Sequence, residues 1–222
     1  MNRYKICLVL LAAAVCFYSC KKDKKPTVIT PPPITYPDYT VLKPGNYWIY
    51  QDYRLDSING AAHPLGTFDS NYVEKDTVIN GSTFHKYCDV AFASGTSTYN
   101  IYYLRDSLSY MINSSGEILF SSEDFTDIFK LYTYGPNAAT PDTLTVTEQM
   151  GFKDVAITVD AGTFITSAFR QIYHYPASYP FGPTREYDHR YCQNVGLISE
   201  TTGIYNSQPS LYERRLLRYH LN

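Results

Sequence analysis

From about residue 39 onward, apolar and polar positions alternate with a period of two. Tyr99-Asn100-Ile101-Tyr102-Tyr103 and Ala168-Phe169-Arg170-Gln171-Ile172-Tyr173 both follow it, as a strand does when one face lies on a core. Asp76-Thr77-Val78-Ile79 and Thr83-Phe84-His85-Lys86-Tyr87 flank Asn80-Gly81. These two residues tolerate the positive φ of a type I′ turn, which predicts a hairpin. Residues 108–112 and 117–120 form a second hairpin through Asn113-Ser114-Ser115-Gly116. Further strands are expected over 47–54, 143–149, 155–159, 185–192, 195–201 and 211–221. One stretch departs from the period: Ser122 is placed to cap a short helix carrying Phe125, Ile128, Phe129 and Tyr132 on one face. The fold class is therefore all-β with at most one short helix: an antiparallel barrel, half-barrel or sandwich of roughly ten strands.

The first residues follow a different pattern. Arg3 and Lys5 precede an apolar run over 6–17, too short to span a bilayer and of the length of a signal h-region. Ser19-Cys20 closes it and resembles a bacterial lipobox, with Phe17 where an aliphatic residue is usual. The resemblance implies cleavage before Cys20 and acylation of that cysteine by a diacylglyceryl group and a palmitate-type N-acyl chain, enough for stable anchoring. Residue 21 is Lys, not the Asp of inner-membrane retention, so the outer membrane is expected, with its periplasmic and outer faces both open. The domain plan is then a signal peptide over 1–19, a lipidated Cys with a Lys/Pro-rich tether over 20–38, and a single β domain over 39–222. Five of the 13 prolines fall in 26–38, which makes that stretch an extended, semi-rigid spacer.

Composition narrows the class. Aromatics are 16% of the 222 residues, which excludes a disordered chain. Lys and Arg number 19 against 21 Asp and Glu, so the basic excess of a nucleic-acid partner is missing. Without Arg3, Lys5, Lys21, Lys22, Asp23, Lys24 and Lys25, 13 basic and 20 acidic residues remain, and the folded part is acidic. Of five cysteines, Cys7 and Cys16 leave with the signal and Cys20 is lipidated, so Cys88 and Cys192 remain. They are either a disulfide across more than 100 residues, an arrangement contributing up to about 4.7 kcal/mol, or two separate thiols.

Three short motifs occur in order: Lys43-Pro44-Gly45-Asn46-Tyr47-Trp48, Asp160-Ala161-Gly162-Thr163-Phe164 and Asn194-Val195-Gly196-Leu197-Ile198. This order resembles uncharacterised Bacteroidota-type lipoproteins with GNYW, AGTF and GVGLI signatures, although Asn194 stands where Gly is usual. Some members have lipocarrier-like antiparallel half-barrels, and the resemblance implies that fold without an activity. In physical terms Trp48, the one Trp, is a core residue, and Gly162 and Gly196 serve turns or bulges. Asp56-Ser57-Ile58, Asp76-Thr77-Val78, Asp106-Ser107-Leu108 and Asp142-Thr143-Leu144 resemble the Bacteroidota O-glycosylation sequon, which makes Ser57, Thr77, Ser107 and Thr143 candidate modification sites. The bland alternative is that Asp-Ser and Asp-Thr simply lead from turns into strands.

No G-x-S-x-G, H-E-x-x-H, Walker A or G-x-G-x-x-G motif occurs, and the sequence implies neither cofactor nor metal. Tyr173-His174-Tyr175 and Asp188-His189-Arg190 are the groupings of interest. His174, Asp188 and His189 would form an acid/base site only if their strands brought them together. Tyrosine is abundant at 23 residues, and Tyr173, Tyr175, Tyr179, Tyr187 and Tyr191 cluster around a loop over 176–183. They form either a ligand surface or ordinary sheet packing. Three functions follow: a non-catalytic lipid-anchored envelope protein that binds a glycan, lipid or protein; a hydrophobic-ligand carrier with a half-barrel cavity; or a hydrolase using His174, Asp188 and His189. Missing catalytic signatures favour the first.

Overall fold

The structure, a computed structural model, describes residues 34–56, 60–93, 96–135, 143–179, 182–203 and 211–222, and a compact body runs from Thr35 to Asn222. Thirteen strands occur among them: β1 (Tyr47–Leu55), β2 (Ala62–Ile79), β3 (Ser82–Ala93), β4 (Thr96–Ser107), β5 (Tyr110–Asn113), β6 (Ile118–Ser121), β7 (Ile128–Tyr134), β8 (Leu144–Met150), β9 (Val155–Val159), β10 (Gly162–His174), β11 (Thr184–Cys192), β12 (Gly196–Gly203) and β13 (Leu211–His220). They form one antiparallel sheet in the order β6-β5-β4-β3-β2-β1-β13-β12-β11-β10-β8-β7, with β9 beside the first half of β10. The all-β expectation holds, and the sheet is nearly closed into a barrel.

The turn chemistry explains much of this. Asn80 and Gly81 have φ of 49° and 78°, as the predicted hairpin between β2 and β3 requires. The short helix expected after Ser122 does not form. The hydroxyl of Ser121 does cap a turn, accepting the N–H groups of Glu123 (3.2 Å) and Asp124 (2.9 Å). The Asp124 carboxylate then takes the N–H groups of Thr126 and Asp127, both at 3.1 Å. A side chain that captures backbone donors in this way competes with the helical ladder, and the chain leaves the turn as β7.

Alternation decides the inside. Trp48, Tyr50 and Asp52 on β1, Asn71 and Val73 on β2, Met150 on β8, and Leu216 on β13 are buried. Trp48 is 1% exposed, and its indole N–H donates to the Val195 carbonyl at 2.6 Å. Gly196 lies directly beneath, at φ +100°, where a Cβ would come within 3.0 Å of Trp48 Cζ2. Only glycine meets both demands.

One end of the barrel is sealed by the segment that precedes β1. Asp38 Oδ1 accepts the N–H groups of Thr40 (3.0 Å) and Val41 (2.8 Å), and the Asp38 carbonyl accepts that of Asn194 (2.7 Å). This holds Tyr39 against Phe120, ring centroids 5.1 Å apart, and buries Leu42. Buried Asn46 joins the same end: its amide donates to the Val41 carbonyl and its oxygen accepts the N–H of Asn222, both at 2.8 Å. Backbone pairing stops between β6 and β7, the two edges of the sheet. Side chains span that seam instead. Lys130 Nζ lies 2.7 Å from Glu117 Oε1, Phe129 meets Tyr110 edge-on at 6.2 Å, and the Ser121 N–H points at Met150 Sδ at 3.2 Å.

Candidate functional site

The inward positions of the barrel do not fill it. A chamber of about 210 Å³ remains above the sealed end. Its apolar lining is made by Leu42, Trp48, Leu104, Met111, Leu119, Phe169 and Leu197. The same lining also carries Asn71, Asp89, Glu148, Gln171, His189, Glu200 and Arg214, together with Tyr87, Tyr102 and Tyr191, and apolar and polar members adjoin where Trp48 pairs with Asn71 and Phe169 with His189. Most of these polar groups stand on strand positions that alternation assigns to the core, and on β12 a register shift lets both Leu197 and Glu200 face inward.

Arg214 organises the polar groups. Its side chain is 10% exposed. Nε donates to Glu200 Oε2 at 2.8 Å, Nη2 makes a second short bond to the same oxygen, and Nη1 reaches Asp89 (2.8 Å) and Asn71 (3.2 Å). The guanidinium carbon also sits 5.0 Å from the centre of the Tyr50 ring. Burial alone would lower the Arg214 pKa, but Glu200 and Asp89 hold it well above the ordinary value. Burial would likewise raise Glu200, and Arg214 with His189 outweigh it and keep that carboxylate below its ordinary value. His189 Nε2 lies 3.5 Å from Glu200 Oε1. Tyr50, Tyr87 and Tyr191 are pushed upward chiefly by burial, so they remain neutral hydrogen-bonding phenols.

No protein-family model matches the chain, and no curated protein matches it. Two solved structures resemble it. One is an exported protein of Bacteroides fragilis NCTC 9343 described as having a YmcC-like fold, 12% identical, with 83% of this chain and 99% of that chain covered and a TM-score of 0.49. The other is described as a lipoprotein of Parabacteroides distasonis ATCC 8503, 15% identical, with 84% and 100% covered and a TM-score of 0.45.

The residues singled out from sequence are scattered relative to this chamber. Of the five tyrosines, only Tyr191 lines it. Tyr175 stacks on Tyr179 at 4.1 Å with the Arg185 guanidinium over both rings, and Tyr173 meets Tyr187 edge-on at 5.2 Å. These four pack against one another, Tyr175 with Leu144 and Val146 in a small second core.

His174, Asp188 and His189 are not brought together. His189 faces the chamber. Asp188 faces the outer side of the sheet, where its carboxylate binds Arg170 (2.6 and 3.1 Å) and Arg190 (3.1 Å). His174 lies beside Thr147 (3.2 Å). It pairs with Thr184, four residues along β11 from Asp188, or about 13 Å at the strand rise.

The proposed disulfide is absent: Cys88 and Cys192 are free thiols. Cys88 points outward and accepts from the Tyr99 hydroxyl at 3.2 Å, while Cys192 donates to the Gln193 carbonyl at 3.5 Å. Cys88 stands on β3 and Cys192 on β11, five strand steps apart around the wall, and each makes its contacts with its own neighbours. Thr77 and Ser107 are half-exposed and Thr143 is exposed. Cys20, residues 1–33 and Ser57 lie outside the described residues.

Sequence reasoning missed Arg214, Glu200, Asp89, Glu148 and Gln171. A signal was there: Arg214 precedes Leu216, and Glu200 follows Ile198, on core-facing registers. A charge on the core side of an otherwise regular strand marks either a buried pair or a binding site.

Proposed function

We propose that the protein is a non-catalytic, lipid-anchored protein of the cell envelope whose barrel holds a small amphipathic ligand. The observation that carries this reading is the chamber of mixed lining, with apolar groups that include Trp48 and polar groups that include Arg214. A cavity lined mostly by apolar groups with a few convergent polar ones is the common form of a small-molecule site. The polar groups make an amphipathic ligand a better fit than a purely hydrophobic one. The anchor rests on the Ser19-Cys20 lipobox resemblance, with the outer membrane as its destination. Half-exposed Thr77 and Ser107 and exposed Thr143 are sterically open to glycan attachment.

Hydrolysis is less well supported. Among the described residues the chamber is lined by neither Ser nor Cys, and its Thr40 hydroxyl is committed to Asp106 at 2.8 Å. Native mass spectrometry of the membrane-extracted protein tests the whole reading. The expected spectrum starts at Cys20 with acyl chains and carries a co-purified small molecule, and Cys20→Ser moves the protein to the soluble fraction. A mature chain starting elsewhere removes the anchor. A chamber that stays empty against lipid and metabolite libraries removes the ligand.

A further inference from the structure

Charge inside the chamber does not balance. Asp89 and Glu200 share Arg214, as described above. Glu148 has no such partner. Its residue is 8% exposed and its carboxylate faces the chamber from β8. It accepts from the Gln171 amide at 2.8 Å and from the Tyr132 hydroxyl at 3.4 Å, both neutral donors. Among the described residues, no Arg, Lys or His nitrogen lies within ion-pair distance of it. Lys130, the register partner of Glu148 on β7, acts on it through space, but its ammonium is bound to Glu117 at 2.7 Å on the seam. A buried carboxylate that bonds no cation directly leaves an ion-pair position open, and a cation there is stabilised by it.

Building on the ligand-binding reading, we infer that the chamber selects a small organic ammonium, its charged group against Glu148 and its apolar body against Trp48, Leu104 and Leu197. Tyr102 and Tyr191 line the same space, and aromatic rings favour a cation further. The size also fits. A volume of 210 Å³ corresponds to about seven waters at about 30 Å³ each, which suits a ligand of six to nine heavy atoms.

Trp48 is the only Trp and lines the chamber, so its emission reports occupancy. Hexylammonium, hexanol and hexanoate, titrated into the full-length protein at pH 7, differ mainly in head group. The inference expects hexylammonium to bind at least about tenfold tighter than hexanol, the size of one charge-assisted bond, and hexanoate to bind weakest. Glu148→Gln is expected to erase the difference between hexylammonium and hexanol. Equal binding of the two by the natural protein, a preference for hexanoate, or a preference that persists in Glu148→Gln overturns the inference while the ligand-binding reading stands. Binding of none of the three overturns both. If Glu148→Gln does not fold, the three-probe series on the natural protein decides.

Discussion

Replacing Arg214 with Met removes the one cation that the buried carboxylates of Glu200 and Asp89 share. Met keeps much of the volume and the contact with Tyr50, so the loss is electrostatic. Taking away one partner of a buried ion pair costs about 3–5 kcal/mol, because the remaining charge is stranded. For a chain of this size each kcal/mol corresponds to about 2–4 °C, which gives a fall in Tm of about 6–20 °C at pH 7. The pH dependence separates this cause from lost packing. In the natural protein Glu200 is held below its usual 4.5, so its contribution is present at neutral pH and is lost only as pH falls through that lowered folded value. In Arg214→Met only His189 is left to oppose burial, and Glu200 is raised. The folded variant then prefers the protonated acid, and its penalty, full at pH 7, is relieved as pH falls toward 4.5. The gap between the two proteins should therefore narrow with acidification. Urea unfolding followed by circular dichroism at pH 7.0, 6.0 and 5.0 measures it. A loss under about 1 kcal/mol, or a gap independent of pH, would refute the reasoning.

Gly196→Ala places a Cβ 3.0 Å from the Trp48 ring at a φ of +100°; it should cost about 1–2 kcal/mol, seen in urea unfolding together with altered Trp48 emission. Asp52 carries a buried Oδ2 without a hydrogen-bond partner, and burial raises its pKa. Its ionised form is therefore penalised at neutral pH, so Asp52→Asn should stabilise by about 1 kcal/mol at pH 7, and the gain should fade as pH drops toward 3.8; a constant gain across that range would contradict the assignment. Since Cys88 and Cys192 are free, alkylation in denaturant without reductant should label both, and a mass showing neither labelled would restore the bridge.

Local chemistry was legible where it acts over a few residues. Asn80-Gly81 announces its hairpin because the turn's φ values depend on those two residues alone. Trp48 and Gly196 were recognisable as core and turn residues, although their mutual contact was not. Around Ser122 the apolar spacing suits a helix as well as it suits one buried side of a turn and strand; the Asp124 side chain decides between them, and periodicity carries no account of it. The chamber was hidden for a different reason. Arg214 and Asp89 are 125 residues apart in the chain, and their meeting depends on the order of four strands, β3-β2-β1-β13, and on every register between them. Around 176–183 the tyrosine density matches the ordinary-packing alternative for Tyr173, Tyr175, Tyr179 and Tyr187, whose rings pack on one another.

The seam between β6 and β7 gives the cylinder a slot. Elsewhere, parting two strands means breaking a ladder of backbone hydrogen bonds. Along the slot it means releasing side-chain contacts, among them the Lys130–Glu117 ion pair, the Phe129–Tyr110 ring contact and the Ser121–Met150 contact. The wall thus has a built-in line of least resistance, at which it can part while the remaining staves stay joined.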